Sequence, residues 1–195
     1  MCDAEPAGGN AMPDAYIVKH CSPTLAGLKT GNMFTVKQGK ETTISDLRSV
    51  NRRITKYGLR LIPLRRTNET VLLYLYRPER LKQDLDRPDV QKILSEKGYD
   101  VGNCEKCVAE VAGHLKHDAQ FPHEIGLFLS YPPEDVQGFM DHPHSGVKAI
   151  GCWKVYGDRQ KAEQTFRMYN ACTAVYEKAA SGGFSLEQLI VSERQ

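Results

Sequence analysis

The most regular stretch of the chain lies late in it. Ala162, Phe166, Tyr169, Thr173 and Tyr176 recur at spacings of four, three, four and three. This predicts a long amphipathic helix over 158–180, stopped by Gly182 and Gly183, with a short helix near 186–190 after it. Two apolar runs, 59–64 and 71–76, flank the polar stretch Arg65-Arg66-Thr67-Asn68-Glu69 and predict a β-hairpin. The second run is almost continuously apolar, as a central strand is. Ile44, Leu47, Ile54 and Tyr57 mark one side of a helix over 45–57, ended by Gly58. Ser22 and Pro23 are residue types that open a helix, as N-cap and first helical residue; it would turn Leu25, Leu28 and Met33 inward.

Pro78 and Pro88 each begin a shorter helix, and Gly98 ends the second. Asn103 caps a further helix with the stripe Cys104, Cys107, Val108, Val111 and Leu115. The segment 125–129 reads as a short buried strand. Pro132 and Pro133 then start a helix with Val136, Phe139 and Met140 inward, and 147–156 reads as a strand segment around Trp153. The succession predicts an α+β fold, loosely α/β: a mixed β-sheet containing the hairpin, with helices packed on it. All four strands are expected to share that sheet, and the long helix to lie on it.

Composition changes this picture little but excludes several classes. Of the 195 residues, 41% are apolar and 26% charged, enough for a packed core. Residues 1–13 are small, polar and aperiodic and read as a flexible tail, leaving 14–195 as a single domain. The net charge of +2 lacks the basic excess of a dedicated nucleic-acid binder. The longest apolar run is far short of a membrane span, and the N-terminus has neither basic start nor apolar stretch, so a cytoplasmic protein is expected.

The candidate chemistry rests on cysteines, histidines and a few polar residues inside apolar stretches. Cys21 directly precedes Ser22-Pro23. If a helix starts there, the unpaired N–H groups would favour its thiolate, with His20 adjacent and Lys29 two turns on. The competing reading is a small buried thiol. A phosphatase loop is excluded, because Gly27 stands where the phosphate-clamping arginine would be. Cys104 and Cys107 form a Cys-x-x-Cys at a helix start, which suits a metal, a redox pair or plain core packing. Iron or zinc is the metal that such thiolates and the six histidines would suit. His114 and His117 read as a solvated helix end. No glycine-rich phosphate loop is present. Arg48, Arg52 and Lys56 recur every four residues, a basic row that could meet an acidic protein partner or simply face solvent.

Three segments resemble the motifs of one family: His20-Cys21-Ser22-Pro23-Thr24-Leu25-Ala26-Gly27-Leu28-Lys29, Phe121-Pro122-His123-Glu124-Ile125-Gly126 running on to Tyr131-Pro132-Pro133-Glu134-Asp135-Val136, and Gly151 with Trp153-Lys154-Val155-Tyr156. The chain is identified as a member of a bacterial family catalogued as domain of unknown function number thirty-seven ninety-three. That pattern has a glycine where this chain has Ser130. The resemblance implies an anaerobic, cytosolic setting and no particular reaction.

The best expectation is a small-molecule or metal-binding protein with a site drawn from the three segments. Cys21, His20, His123 and Glu124 are the candidate reactive groups. Lys29, Trp153, Lys154 and Tyr156 are the candidate ligand-binding groups, and Cys104 and Cys107 the metal ligands. The alternatives are a cysteine-dependent enzyme and an interaction module docking through the basic face. If one pocket unites the segments, Cys21, His123 and Trp153 should line the same concavity.

Overall fold

The computed structural model describes residues 14–37, 44–117 and 121–192. The expected tail, 1–13, lies outside them. The chain order is α1 (Asp14–Leu25), β1 (Gly31–Lys37), α2 (Ile44–Ile54) with a 3₁₀ turn over Thr55–Tyr57, β2 (Arg60–Arg66), β3 (Thr70–Tyr76), α3 (Pro78–Leu85) and α4 (Pro88–Glu96). It continues with α5 (Cys104–His117), α6 (Ile125–Phe128), α7 (Pro133–Asp141), β4 (Ala149–Ile150), β5 (Lys154–Val155), α8 (Arg159–Ser181) and a 3₁₀ turn over Glu187–Leu189. The fold is α+β. No helix among the described residues is long and apolar enough to cross a membrane.

The sheet is antiparallel in the order β1-β3-β2, so the continuously apolar β3 is central, as expected. Alternation along β3 sends its side chains to two cores. Val71, Leu73 and Leu75 face α1, α2 and Leu186, Leu189 and Ile190. Tyr74 and Tyr76 face α3 to α7. β2 is an edge strand, which tolerates Pro63, a residue with no N–H to give; a register shift follows between Pro63 and Arg65. Gly31 is required in β1, because a Cβ there would stand 2.4 Å from the buried Tyr74 ring. The Tyr74 hydroxyl crosses to the other layer and donates to the Phe128 carbonyl at 2.6 Å.

Arg77, fully buried at the end of β3, closes the C-terminus of α1. Its Nε donates to the Thr24 carbonyl at 2.8 Å, and Nη2 donates to those of Leu25 (2.9 Å) and Val191 (2.7 Å). Arg80 donates to the Gly27 carbonyl in the same turn. These cations satisfy carbonyls that a helix end leaves unpaired.

Four expectations are corrected. Ser22 and Pro23 do not open a helix; they occupy the last turn of α1. The Ser22 hydroxyl bonds back to the Val18 carbonyl at 2.5 Å. Leu28 is exposed in the following turn and Met33 belongs to β1, a strand the apolar pattern did not reveal. The segment 125–129 is the short helix α6, not a strand. β4 and β5 form a separate two-stranded hairpin and do not join the main sheet. The long helix α8 exists as expected, N-capped by Asp158, whose side chain accepts from the Lys161 N–H at 3.0 Å. It runs along α1 rather than on the sheet, with Phe166 and Tyr169 buried.

Candidate functional site

The site is organised by Asp135. Pro132 and Pro133 pre-set the backbone at the start of α7, and Asp135 follows in its first turn with 3% of its surface exposed. Its Oδ2 accepts from the Trp153 indole N–H at 2.6 Å. Its Oδ1 accepts from the backbone N–H groups of Tyr156 and Gly157, both at 2.7 Å. Three donors and the start of a helix thus converge on one buried side chain. The result is a rigid joint between α7 and the β4–β5 hairpin.

That joint sets Trp153 upright. Its ring stacks on Tyr131 with centroids 4.9 Å apart and meets Phe166 of α8 edge-on at 4.5 Å. The Tyr131 hydroxyl donates to the Cys152 carbonyl at 3.1 Å. Glycines permit this closeness: a Cβ on Gly151 would stand 2.3 Å from the Phe166 ring. The Trp153–Tyr131 pair forms a wall between two clefts.

On one side is an apolar cleft of about 480 Å³. Ile125, Leu129, Val136 and Phe139 join Met33 and Leu72 of the sheet to line it, and Arg65, His123 and Lys154 supply its basic groups. His123 stands edge-on to Phe139 with centroids 4.8 Å apart. The Lys154 ammonium lies 5.0 Å from the centre of the same ring and donates to the Pro143 carbonyl at 2.9 Å. On the other side is a cleft of about 390 Å³ between α7 and α8. Its walls include Tyr131 and Tyr169, and its charged residues are of both signs: Asp84, Glu134, Asp135 and Asp158 with Arg87 and Lys161.

The structure thus unites two of the three segments singled out by sequence. His123, Trp153 and Lys154 line one cleft, and Tyr156 supports it from behind, its N–H on Asp135 and its hydroxyl donating to the His142 carbonyl at 3.0 Å. Cys21 is not there. It lies fully buried in the core between α1 and the sheet, well inside α1 rather than at its start, and burial pushes its thiol strongly up. The thiolate at a helix N-terminus is therefore corrected: the helix runs through Cys21 and ends after it. His20 stacks on Phe34 at 5.5 Å, and burial together with Lys19 lowers its pKa.

His123 and Glu124 also part company. Glu124 is buried on the far side, accepting from the Tyr99 hydroxyl at 2.9 Å, with His114 Nδ1 3.0 Å from that hydroxyl and 3.5 Å from the carboxylate. His114 is thereby half-buried in a polar cluster and not a solvated end. Cys107 is buried in the stripe of α5 and Cys104 half-buried beside it; burial raises both thiols to about 11. Among the described residues no group of three or more His, Cys, Asp or Glu side chains is placed to hold a metal ion. Lys29 is buried against Tyr131 and Tyr169, its ammonium 5.3 and 5.8 Å from their ring centres.

Sequence reasoning missed Asp135, Tyr131, Phe139 and Arg65 as parts of the site. The available signal was two acids in one helical first turn, of which only Glu134 reaches solvent. Ser130 is the one non-glycine residue among those described with positive φ, +58°. Its hydroxyl accepts from the Thr30 N–H at 2.9 Å, which ties this turn to the start of β1.

A family model described as Protein of unknown function (DUF3793) matches residues 17–190. No curated protein and no solved structure matches the chain.

Proposed function

The chain belongs to the DUF3793 family of proteins of unknown function, and we propose that it binds a small organic acid with an apolar body in the cleft between the sheet, α6 and α7. One observation carries this reading: an apolar cavity of about 480 Å³ is lined by three basic side chains, Arg65, His123 and Lys154. Apolar walls with a few convergent polar groups are the usual build of a small-molecule site. Asp135 also reaches the wall, but its oxygens are committed to Trp153, Tyr156 and Gly157, so it presents little free negative charge to a ligand.

The site uses the second and third sequence segments, with Phe139 as the floor shared by His123 and Lys154. The test is a titration of phenylpropionate and octanoate against their matched alcohols, followed by Trp153 emission and calorimetry. The acids should bind more tightly, and Arg65→Gln with His123→Gln should remove most of that preference, about 1.4- to 5-fold per exposed contact. Equal binding of acid and alcohol, or no change in Trp153 emission with either, refutes the reading. A second reading, docking of an acidic partner, is favoured by the shared exposure of Arg48, Arg52 and Lys56 on one row of α2 and the turn after it.

A further inference from the structure

We infer that the outer edge of β1 takes up an extended peptide, added antiparallel to the sheet, whose alternate side chains, apolar with a carboxylate among them, enter the organic-acid cleft. The inference rests on the preceding reading only for the use of that cleft, and it names what carries the acid there.

β1 is an edge strand, because the sheet runs β1-β3-β2. The ladder fixes which of its backbone groups are spent. The Arg77 N–H donates to the Thr30 carbonyl at 2.9 Å, in the register that sets Gly31 opposite Tyr76. Bonded and non-bonded pairs alternate in an antiparallel ladder, so Asn32, Phe34 and Val36 turn their N–H and C=O groups to β3. Those of Met33 and Thr35 point away from the sheet, and no described residue bonds to them. Thr35 is exposed and Met33 half-buried.

The other edge is closed. In β2 the outward residue Leu61 gives its N–H to the Asn51 side chain at 2.9 Å, and its carbonyl accepts from the same side chain at 2.7 Å. Pro63, two residues on, has no N–H to offer. Natural sheets block exposed edges by such means. β1 contains no proline, and its single charged residue, Lys37, stands at its end. An unblocked edge is a template for a further strand.

The same alternation aims the added side chains. Side chains opposite each other across an antiparallel pair lie on one side of the sheet. Met33 and Thr35 both line the apolar cleft, as does Leu72 of β3. Peptide residues opposite Met33 and Thr35 therefore stand over that cleft, about 7 Å apart. Its walls suit apolar side chains, and Arg65, His123 and Lys154 suit a carboxylate. A second copy of this chain fits less well. Pairing Met33 of one copy with Thr35 of the other brings Lys37 opposite Gly31, on the side of a cleft that already holds three basic groups.

The test uses the intact protein with the peptide acetyl-Thr-Val-Thr-Phe-Thr-Glu-amide, read by calorimetry and by amide hydrogen exchange. In the free protein the Met33 and Thr35 amides should exchange fast, and those of Asn32, Phe34 and Val36 slowly. The peptide should slow Met33 and Thr35 about 10-fold or more. N-methylation of its Val and Phe, whose N–H groups face β1, should weaken binding about 10-fold or more; N-methylation of its second and third Thr, which face away, should change it less than about 2-fold. Equal sensitivity of the two N-methylated peptides, or no slowing of Met33 and Thr35, overturns the proposal. So does slow exchange of these two amides in the free protein: if it depends on concentration a second copy holds the edge, and if it does not the chain covers its own edge. Phenylpropionate that binds where the peptide does not leaves the small-acid site and removes the strand addition. A peptide that passes these tests where phenylpropionate fails to bind upholds the strand addition and removes the small-acid reading.

Discussion

Replacing Asp135 by Asn removes one negative charge and one acceptor while keeping size and shape. The carboxylate accepts three hydrogen bonds through two oxygens. The amide has one oxygen, so one side of the joint must face an NH₂. If the oxygen stays with the two backbone donors, the indole N–H, 2.6 Å from its present acceptor, meets another donor. If the amide turns over, Tyr156 and Gly157 both lose theirs. A hydrogen bond to a charged group contributes about 1.5–3 kcal/mol, and a buried unpaired donor costs about 1–3 kcal/mol. The missing charge at the start of α7 adds about 0.3–1 kcal/mol. These terms overlap, and we expect Asp135→Asn to lose about 2–4 kcal/mol. The assay is urea unfolding followed in parallel by far-ultraviolet circular dichroism and by tryptophan emission. The sequence has one tryptophan, so emission reports the joint directly. Native emission should shift to the red as the indole loosens from Asp135 and Tyr131. A variant within about 0.5 kcal/mol of the parent, with unchanged emission, would show that the carboxylate does not hold Trp153 and that the wall between the clefts stands on ring packing alone.

Among the described cysteines, alkylation with iodoacetamide at pH 7.5 should modify exposed Cys152 first and leave Cys21 untouched until the protein unfolds, because the thiolate is the nucleophile and Cys21 is both buried and held neutral. Early labelling of Cys21 would restore it as a reactive group. The Arg53 guanidinium, bonded to Glu187 at 2.5 Å and to Asp14 at 2.6 Å, holds the Glu187 carboxyl down at about 2. A depressed carboxyl stabilises the fold above its unfolded value of 4.5, and that stability is lost as pH falls through about 2. Glu187→Gln should therefore cost about 1 kcal/mol at neutral pH, since the pair is solvent-screened, and the difference should close in acid; a gap that persists in acid melts would refute the linkage. Changing Arg48, Arg52 and Lys56 together to Gln should move stability by less than about 1 kcal/mol. A larger loss in a thermal melt would make that face structural.

The parts of the fold that were legible are those where one physical signal dominates. The spacing in α8, the apolar continuity of β3 and the prolines opening α3, α4 and α7 each specify an element locally. The segment 125–129 was not legible, because five apolar residues suit a buried strand or a buried helical turn equally. Only its neighbours decide, and the Pro122 carbonyl accepting from the Ile125 N–H commits it to a helix. Ser22-Pro23 misled for a related reason: the same residue types serve a helix start or, with Ser22 bonding back to Val18, a last turn. Ile17, Val18, Cys21 and Leu25 carried the true period of α1. Within the site, His123, Trp153 and Lys154 stood out as polar or aromatic residues in unusual company. Asp135 did not, because an acid in a helical first turn already has a reason to be there, and its partners lie about twenty residues away.

The Arg77 clasp has a consequence for how the molecule is made. Its guanidinium, synthesised well before Val191, joins carbonyls from the first described helix to that of Val191, and the Val191 N–H in turn donates to the Leu25 carbonyl at 3.0 Å. A nascent chain stopped short of residue 191 would have a strand-end cation and a helix end waiting for their third member. Leu186, Leu189 and Ile190, which cover the same core, would also be missing. The sheet and α1 can form while the ribosome is still working, but the packing around Arg77 is completed only after the segment carrying Val191 has emerged. The elements that meet at Arg77 are thus kept provisional until residue 191 is available to complete them.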